Sequence, residues 1–320
     1  MELRHLRYFI ALAEELHFAR AAQRLNIAPP TLTVQIQEIE RTLAARLFAR
    51  TRRSVALTPA GEVFLVEARA VLERFARAES TGRRAGRGEI GRIALGYVGS
   101  AAYAGVLQDQ TRRFRAGFPA VEITAREWPM DALPGLVAEG QVDIGFVRLP
   151  MALPRGLRTH VLLRDYFCLA HPAAHPAAHP AGDVAAGEGA VAPEALAGEA
   201  FIMPEQGAGT YEVARRGGFT PRIVSAPGNL LAVLTQVSLG MGVAVVPGVV
   251  RQVVGLPNVA FARLAGATIG SEVAALFRAS ESGPMARNFI RQVVETPQAL
   301  RAFTPGEAGS MLAGGAADPR

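Results

Sequence analysis

One stretch restricts this chain more than any other. Phe18 to Thr42, FARAAQRLNIAPPTLTVQIQEIERT, reads as two short helices joined by a tight turn. Ala21, Ala22 and Leu25 mark the buried side of the first helix, and Asn26-Ile27-Ala28 form the turn. Pro29-Pro30 then fix φ at a new helical start, where a missing N–H costs no hydrogen bond. Leu32, Ile36, Ile39 and Leu43 follow at 4-3-4 spacing, which keeps one face inward. Pro29, Pro30, Thr31, Thr33, Val34 and Gln35 are left on or near the outward side of the first turns, where a helix-turn-helix reader meets base edges. Any small helical hairpin shows such spacing, so the flanking sequence has to decide.

Charge is the first flanking signal. Residues 1–88 hold 15 Arg against 9 acids, a net of +6, while residues 89–320 hold 19 of each. All the excess positive charge therefore sits on the segment with the helical hairpin, as attraction to phosphate requires. Every one of the 34 basic residues is Arg, a usage that fits a GC-rich genome better than selection at each site. Leu47 and Phe48 come next as core plugs. Arg50, Arg52 and Arg53 then precede the alternating Val55-Ala56-Leu57, the pattern of a β-wing that carries cations to the DNA backbone or minor groove. A solvated turn is the other meaning of such a charge run.

Taken together, residues 1–75 resemble the N-terminal region of LysR-type transcriptional regulators. ELRHLRYFIALAEELHFARAAQRLNIAPPTLTVQIQEIERTLAARLFARTRRSVALTPAGE follows that pattern through helix, turn, recognition helix, wing and the Leu57-Thr58-Pro59-Ala60-Gly61 entry to the next helix. The chain departs from it at Pro29, where relatives often carry Gln, and at Val34, where they carry Arg or another polar residue. The resemblance implies an α/β protein with an N-terminal winged helix-turn-helix, a long linker helix and a two-lobed, doubly wound α/β effector domain like a type 2 periplasmic binding protein. It implies double-stranded DNA, a small-molecule effector and further copies of the same chain as partners, tetramers being usual, with RNA polymerase as an additional partner.

Pro59 to about Thr81 reads as one helix, with Thr58 as N-cap. Leu65, Ala68, Leu72 and Phe75 are spaced 3-4-3, a two-stranded seam. Self-association through that seam is expected, with packing on the chain's own second domain as the alternative. Gly82 to Gly88 forms a basic hinge. The expected division is therefore 1–58 for the DNA reader, 59–88 for linker and hinge, 89–304 for the effector domain and 305–320 for a disordered tail.

From Gly91 strands and helices alternate: strand 93–98, helix 103–118, strand 121–126, helix 130–139 and strand 143–148. Such units predict a doubly wound parallel sheet with ligands at the carboxyl ends of its strands. A second block follows, with strands near 166–170, 200–203, 223–225 and 243–246, then strand 268–278 and helix 284–295. Crossings between lobes are expected near 160–165 and 264–268, which makes lobe I about 89–162 and 267–304 and lobe II about 163–266.

At the strand ends, Gly99 and Ser100, followed by Ala101, offer a hydroxyl and backbone N–H groups to an anion; capping of the helix at 103–118 is the plainer role of Ser100. LGYVGSAAY resembles the benzoate- and muconate-responsive branch of the family. That likeness brings in Trp128 where the branch often has a small hydroxylic residue, Phe146 and Arg148 in GFVR, and Pro204-Glu205-Gln206 at the mouth of the second lobe. Arg148 suits bidentate pairing with a carboxylate, or a structural bridge across the cleft. Glu205 disfavours a doubly anionic effector, and a small organic acid, aromatic or otherwise, is the expectation.

Other classes fit less well. There is no nucleophile elbow and no phosphate-binding glycine loop, so an enzyme is not expected, nor a cofactor. His171, His175 and His179 sit at i,i+4 spacing, but a proline after each forbids the helix that would align them on a metal, and a surface loop is expected. The single Cys168 lies in an apolar run and reads as a buried structural thiol. Ser225 to Val250 carries no charge over 26 residues, yet its Pro, Asn and Gly positions suit a helix–strand unit better than a membrane span. The charged N-terminus lacks a signal peptide, and cytoplasmic location is the default expectation.

Overall fold

The first 86 residues fold as a unit of their own in the computed structural model, which describes residues 1–51, 54–175 and 190–296. Helices α1 (Leu3–Glu15), α2 (Phe18–Arg24) and α3 (Pro29–Thr42) precede strands β1 (Phe48–Arg50) and β2 (Val55–Leu57), and α4 (Pro59–Gly86) closes the unit. Phe9, Leu12, Ala21, Ala22, Leu32, Ile36, Leu47 and Phe48 fill one core, with the Phe9 ring 5.3 Å from Phe48 and 4.8 Å from Phe64. The two strands pair antiparallel as a short wing, with Phe48 opposite Leu57 and Arg50 opposite Val55.

Two side chains set the wing in place. Glu40 Oε1, from α3, accepts from the Leu47 and Phe48 N–H groups at 2.9 and 3.1 Å. The Thr58 hydroxyl donates to the Arg46 carbonyl at 2.7 Å and accepts from the Gly61 N–H at 3.0 Å, which caps α4. Gly61 is required by close approach: a Cβ there would lie 2.2 Å from the Leu47 carbonyl oxygen.

The apolar stripe of α4 is placed differently from the expectation. Leu65, Ala68 and Leu72 pack against the core of this same unit, and Ala68 is 1% exposed. Only Phe75 of the four expected seam residues counts among the exposed apolar side chains, together with Val63, Val66 and Val71. The 3-4-3 spacing marks a buried face correctly but cannot say whose residues bury it. Here α1 does.

The second unit begins at Arg87. Its elements are β3 (Ile90–Tyr97), α5 (Gly99–Ala102), α6 (Val106–Gly117), β4 (Ala120–Glu127), α7 (Leu133–Ala138), β5 (Ile144–Leu149), β6 (Leu157–Pro172), β7 (Ala190–Val191), β8 (Ala200–Ile202), α8 (Ala208–Gly217), β9 (Arg222–Ser225), α9 (Leu230–Ser238), β10 (Ala244–Pro247), α10 (Val250–Val253), β11 (Val259–Leu264), β12 (Gly270–Arg278) and α11 (Pro284–Glu295). The helix expected over 103–118 is α6 and starts later, at Val106, because Gly105 takes a left-handed φ of 75° just before it; the short α5 precedes the expected range. The Asn229 side chain accepts from the Ala232 N–H to open α9, and among the described residues no helix is long and apolar enough to cross a membrane.

The sheet is mixed, not parallel throughout. β3 runs parallel to β4 and β5, but β12 enters antiparallel between β5 and β6. The reason lies in the path: β6 runs outward through Tyr166 and then pairs with β10 and β11, while β12 returns from β11 in the opposite direction. Two antiparallel segments thus join two cores, one around Phe114, Phe146 and Phe289, the other made of two buried clusters, one around Leu169 and Phe201 and one around Val233 and Val246.

Replacing Gly61 by Ala should cost about 1–3 kcal/mol through overpacking. Gly82→Ala on the same helix, where nothing lies within 4 Å of the added Cβ, should gain about 0.5–1 kcal/mol. Urea unfolding of the two variants checks both signs.

Candidate functional site

The outward face of α3 is built by what its inner face buries. Leu32, Ile36 and Ile39 are sealed in the core, so the opposite side presents Pro30, Thr31 and Val34, the last 58% exposed, continued by Gln37 and Arg41. Thr33 and Gln35 lie half-buried on the flanks, and the Thr33 hydroxyl donates to the Pro29 carbonyl at 3.1 Å. Gln37 was not among the expected residues, although its position three residues after Val34 is a legible signal.

Arg50 is committed within the unit. Its Nη2 donates to Glu40 Oε2 at 3.0 Å, and its guanidinium lies 5.0 Å over the Phe18 ring. It braces the wing against α3 and is not a free cation at the wing tip. Arg52 and Arg53 lie outside the described residues, as do His179 and the 305–320 tail.

In the second unit, Arg148 is 0% exposed. Its Nε and Nη2 donate to the Ser100 carbonyl at 3.3 and 3.1 Å, and its Nη1 to Asp165 Oδ2 at 3.1 Å and Ser271 Oγ at 2.9 Å. Asp165 in turn accepts from the Tyr166 N–H at 2.8 Å and the Val249 N–H at 3.3 Å. The expected bidentate clamp on a ligand carboxylate is therefore already occupied by the chain itself; the geometry is that of the structural bridge. Phe146 belongs to the core, edge-on to Phe289, and lines no opening. Ala101 is likewise buried, and Pro204 and Gln206 are buried beside Glu205.

The anion seat expected at Gly99 and Ser100 also reads differently. The Glu127 carboxylate stands against Gly99, where a Cβ would lie 2.6 Å from its Oε1, so an anion there would meet a carboxylate. Ser100 does not cap α6, and its buried Oγ has no partner.

A cavity of about 500 Å³ opens between the end of β4 and the second core. Glu127, Trp128, Pro129, Met130 and Asp131 line one side, Glu205 and Gly228 the other. Trp128 and Glu205 were expected here; the acids at 127 and 131 were not, although EWPMD directly after a strand was the available signal. The Arg126 guanidinium lies 4.1 Å over the Trp128 ring. Burial pushes the Glu205 carboxyl up to about 7; the Met130 backbone hydrogen bond opposes the rise, and Glu127 and Asp131 add to it. Burial pushes the Cys168 thiol up to about 12, as expected of an inert core cysteine.

Two family models span these units. Residues 3–62 match the bacterial regulatory helix-turn-helix protein, lysR family, and residues 86–298 match the LysR substrate binding domain. The chain belongs to the LysR family of transcriptional regulators. It is a DNA-binding regulator with an effector-binding domain, not an enzyme. It is 36% identical over 299 residues to the HTH-type transcriptional regulator YnfL of Escherichia coli, covering 90% of this chain and 96% of that protein. It is 32% identical over 296 residues to AlsR of Bacillus subtilis, covering 91% and 94%. Among solved structures, the regulator CbnR bound to its target DNA matches with a TM-score of 0.75 at 27% identity, covering 92% of this chain and 99% of that one.

Two measurements test the site's energetics. Asp165→Ala leaves the buried Arg148 without its counter-charge and should cost about 3–5 kcal/mol, while exchanging both partners for apolar residues should regain most of it, read by urea unfolding. Glu205 keeps a proton in the folded state that the unfolded chain releases from its ordinary value of 4.5, so its contribution is lost as pH rises from there through about 7. Glu205→Gln should therefore raise Tm at about pH 8, by roughly 2–4 °C if it recovers ~1 kcal/mol, with the gain shrinking toward about pH 5.

Proposed function

We propose that this chain reads a specific operator through the outward face of α3 and alters transcription when a small molecule occupies the cleft between its two lobes. The observation that carries the DNA reading is the exposed, largely uncharged run Pro29, Pro30, Thr31 and Val34 on a helix whose other side is sealed. Val34 offers a methyl surface to a thymine methyl, with Thr33 and Gln35 on the flanks. Arg52 and Arg53 supply phosphate contacts, with Arg50 holding the wing to α3.

Self-association is part of this reading, since paired half-sites need paired readers. Val63, Val66, Val71 and Phe75 are the apolar side chains of α4 left exposed for it, and tetramers remain the expectation from the family. The chain acts in the cytoplasm, with RNA polymerase as a partner on the promoter. The effector domain is divided where β6 and the segment joining β11 to β12 pass between the two cores, near 160–165 and 264–268. For the effector, the likeness to aromatic-responsive relatives favours a small organic acid. The carboxylates of the cavity and the commitment of Arg148 weigh against an anion.

A nuclease footprint on the DNA flanking the gene tests the whole reading. Two protected half-sites about 34–36 Å apart, or a multiple of that, are expected. Val34→Asp should remove specific protection while leaving the far-UV circular dichroism unchanged. Equal protection by the variant would overturn the assignment of this face.

A further inference from the structure

The cleft has the wrong charge for an acid. Glu127 and Asp131 from one side and Glu205 from the other share a cavity of about 500 Å³ whose remaining lining is Trp128, Pro129, Met130 and Gly228. No cation lines it. Arg126 beside it is laid on the Trp128 ring at 4.1 Å, and Arg148 is closed off by Ser100, Asp165 and Ser271. Among the described residues no three His, Cys, Asp or Glu side chains are grouped to hold a metal ion, so the carboxylates surround a space of organic-molecule size.

A second observation points the same way. Gln206, next to Glu205 in the chain, is 5% exposed; its Nε2 donates to the Pro150 carbonyl at 3.3 Å, and its Oε1 has no donor. Ser100, next to the Gly99 that abuts Glu127, is 6% exposed and its Oγ is also unpartnered. Buried polar atoms without partners are rare, and each costs free energy until one arrives. A ligand N–H satisfies the Gln206 Oε1 acceptor and a carboxylate does not, whereas the Ser100 hydroxyl can pair with either.

We propose that the effector of this cleft is an organic cation, an ammonium or amidinium group on a small apolar body, bound between Glu127, Asp131 and Glu205 with its body against Trp128 and Met130. This rests on the cleft being the effector site. The Arg126 guanidinium already shows that the indole face accepts a cation. It acts as a resident competitor, to be displaced or neighboured by the ligand. Binding draws the proton off Glu205, so affinity rises with pH through about 7; the charged groups facing Glu205 are Glu127 and Asp131, with the Met130 N–H as its donor.

Trp128 is the only tryptophan, so its emission reports occupancy directly. The full-length protein is titrated with benzamidine, benzyl alcohol and benzoate, three probes of similar body and different charge, at low and moderate salt. Benzamidine should change the emission saturably and bind about tenfold or more tightly than benzoate, the factor that one charge-assisted hydrogen bond supplies. Glu205→Gln should weaken benzamidine about tenfold and flatten its pH dependence, while Arg126→Met, which frees the ring face, should tighten it. Preference for benzoate, or benzamidine affinity unchanged in both variants, overturns the cation assignment and leaves the cleft as an effector site. Silence of Trp128 toward all three probes at millimolar concentration, in protein that still protects its operator, overturns the cleft itself as the effector site and the cation assignment with it.

Discussion

The effector domain is organised about one buried ion pair. Arg148 and Asp165 meet where the chain passes between two cores, and their remaining hydrogen-bonding capacity is taken by groups from several segments: the Ser100 carbonyl, the Ser271 hydroxyl on the returning strand, and the Tyr166 and Val249 N–H groups. Asp165 and Ser271 are register partners across β6 and β12, so the pair sits near the end of that antiparallel ribbon, just before β6 goes on to pair with β10 and β11. Removing two charges from water is favourable only when their lone pairs and protons are this fully used. The cost of breaking any one link fixes the relation of the strands around it. A ligand that changes the angle between lobes must therefore favour one arrangement over the other by differential contacts, since tight binding to both shifts nothing.

The N-terminal unit solves a similar problem with one carboxylate. Glu40 comes from the inner flank of α3 and takes two backbone N–H groups at the start of the wing together with the Arg50 guanidinium. The recognition helix and the wing are thereby held as one rigid surface. The arrangement also shows why net charge and usable charge differ. Of the arginines near the wing, Arg50 is consumed internally, and Arg41 is paired with Glu38 at 2.6 Å. The electrostatic excess of the segment remains a long-range attraction, while the sequence-reading contacts fall to a mostly uncharged face.

The cleft inverts the same economy. Arg148 is turned into the protein and the exposed Arg126 is laid on the Trp128 ring, while the carboxylates of Glu127, Asp131 and Glu205 line the opening. Burial, with two other acids beside it, raises the Glu205 carboxyl to about 7, which is how a site stores the desolvation cost of a negative charge until a positive one arrives. A relative that presents a small hydroxylic residue in place of Trp128 would lack both the wall and the cation-accepting ring. A shared fold thus does not carry a shared ligand.

Periodicity in the sequence was enough for the helices of the reader, the wing strands, the Asn229-capped helix and the alternation of strands and helices in the effector domain, because each of these is decided by neighbours a few residues apart. The outward position of Val34 followed from the same local rule. What the sequence left open was always a partner. The Leu65, Ala68 and Leu72 stripe was visible, but only the folded unit shows α1 covering it. Arg50 and Arg148 were visible as cations, but their acids lie 10 and 17 residues away and reach them through tertiary contacts. The direction of β12 depended on a chain path through both cores, and the sign of the cleft on three acids contributed by two separate segments. Local spacing determines which side of an element is buried; the tertiary structure decides what buries it, and so which charges remain to act.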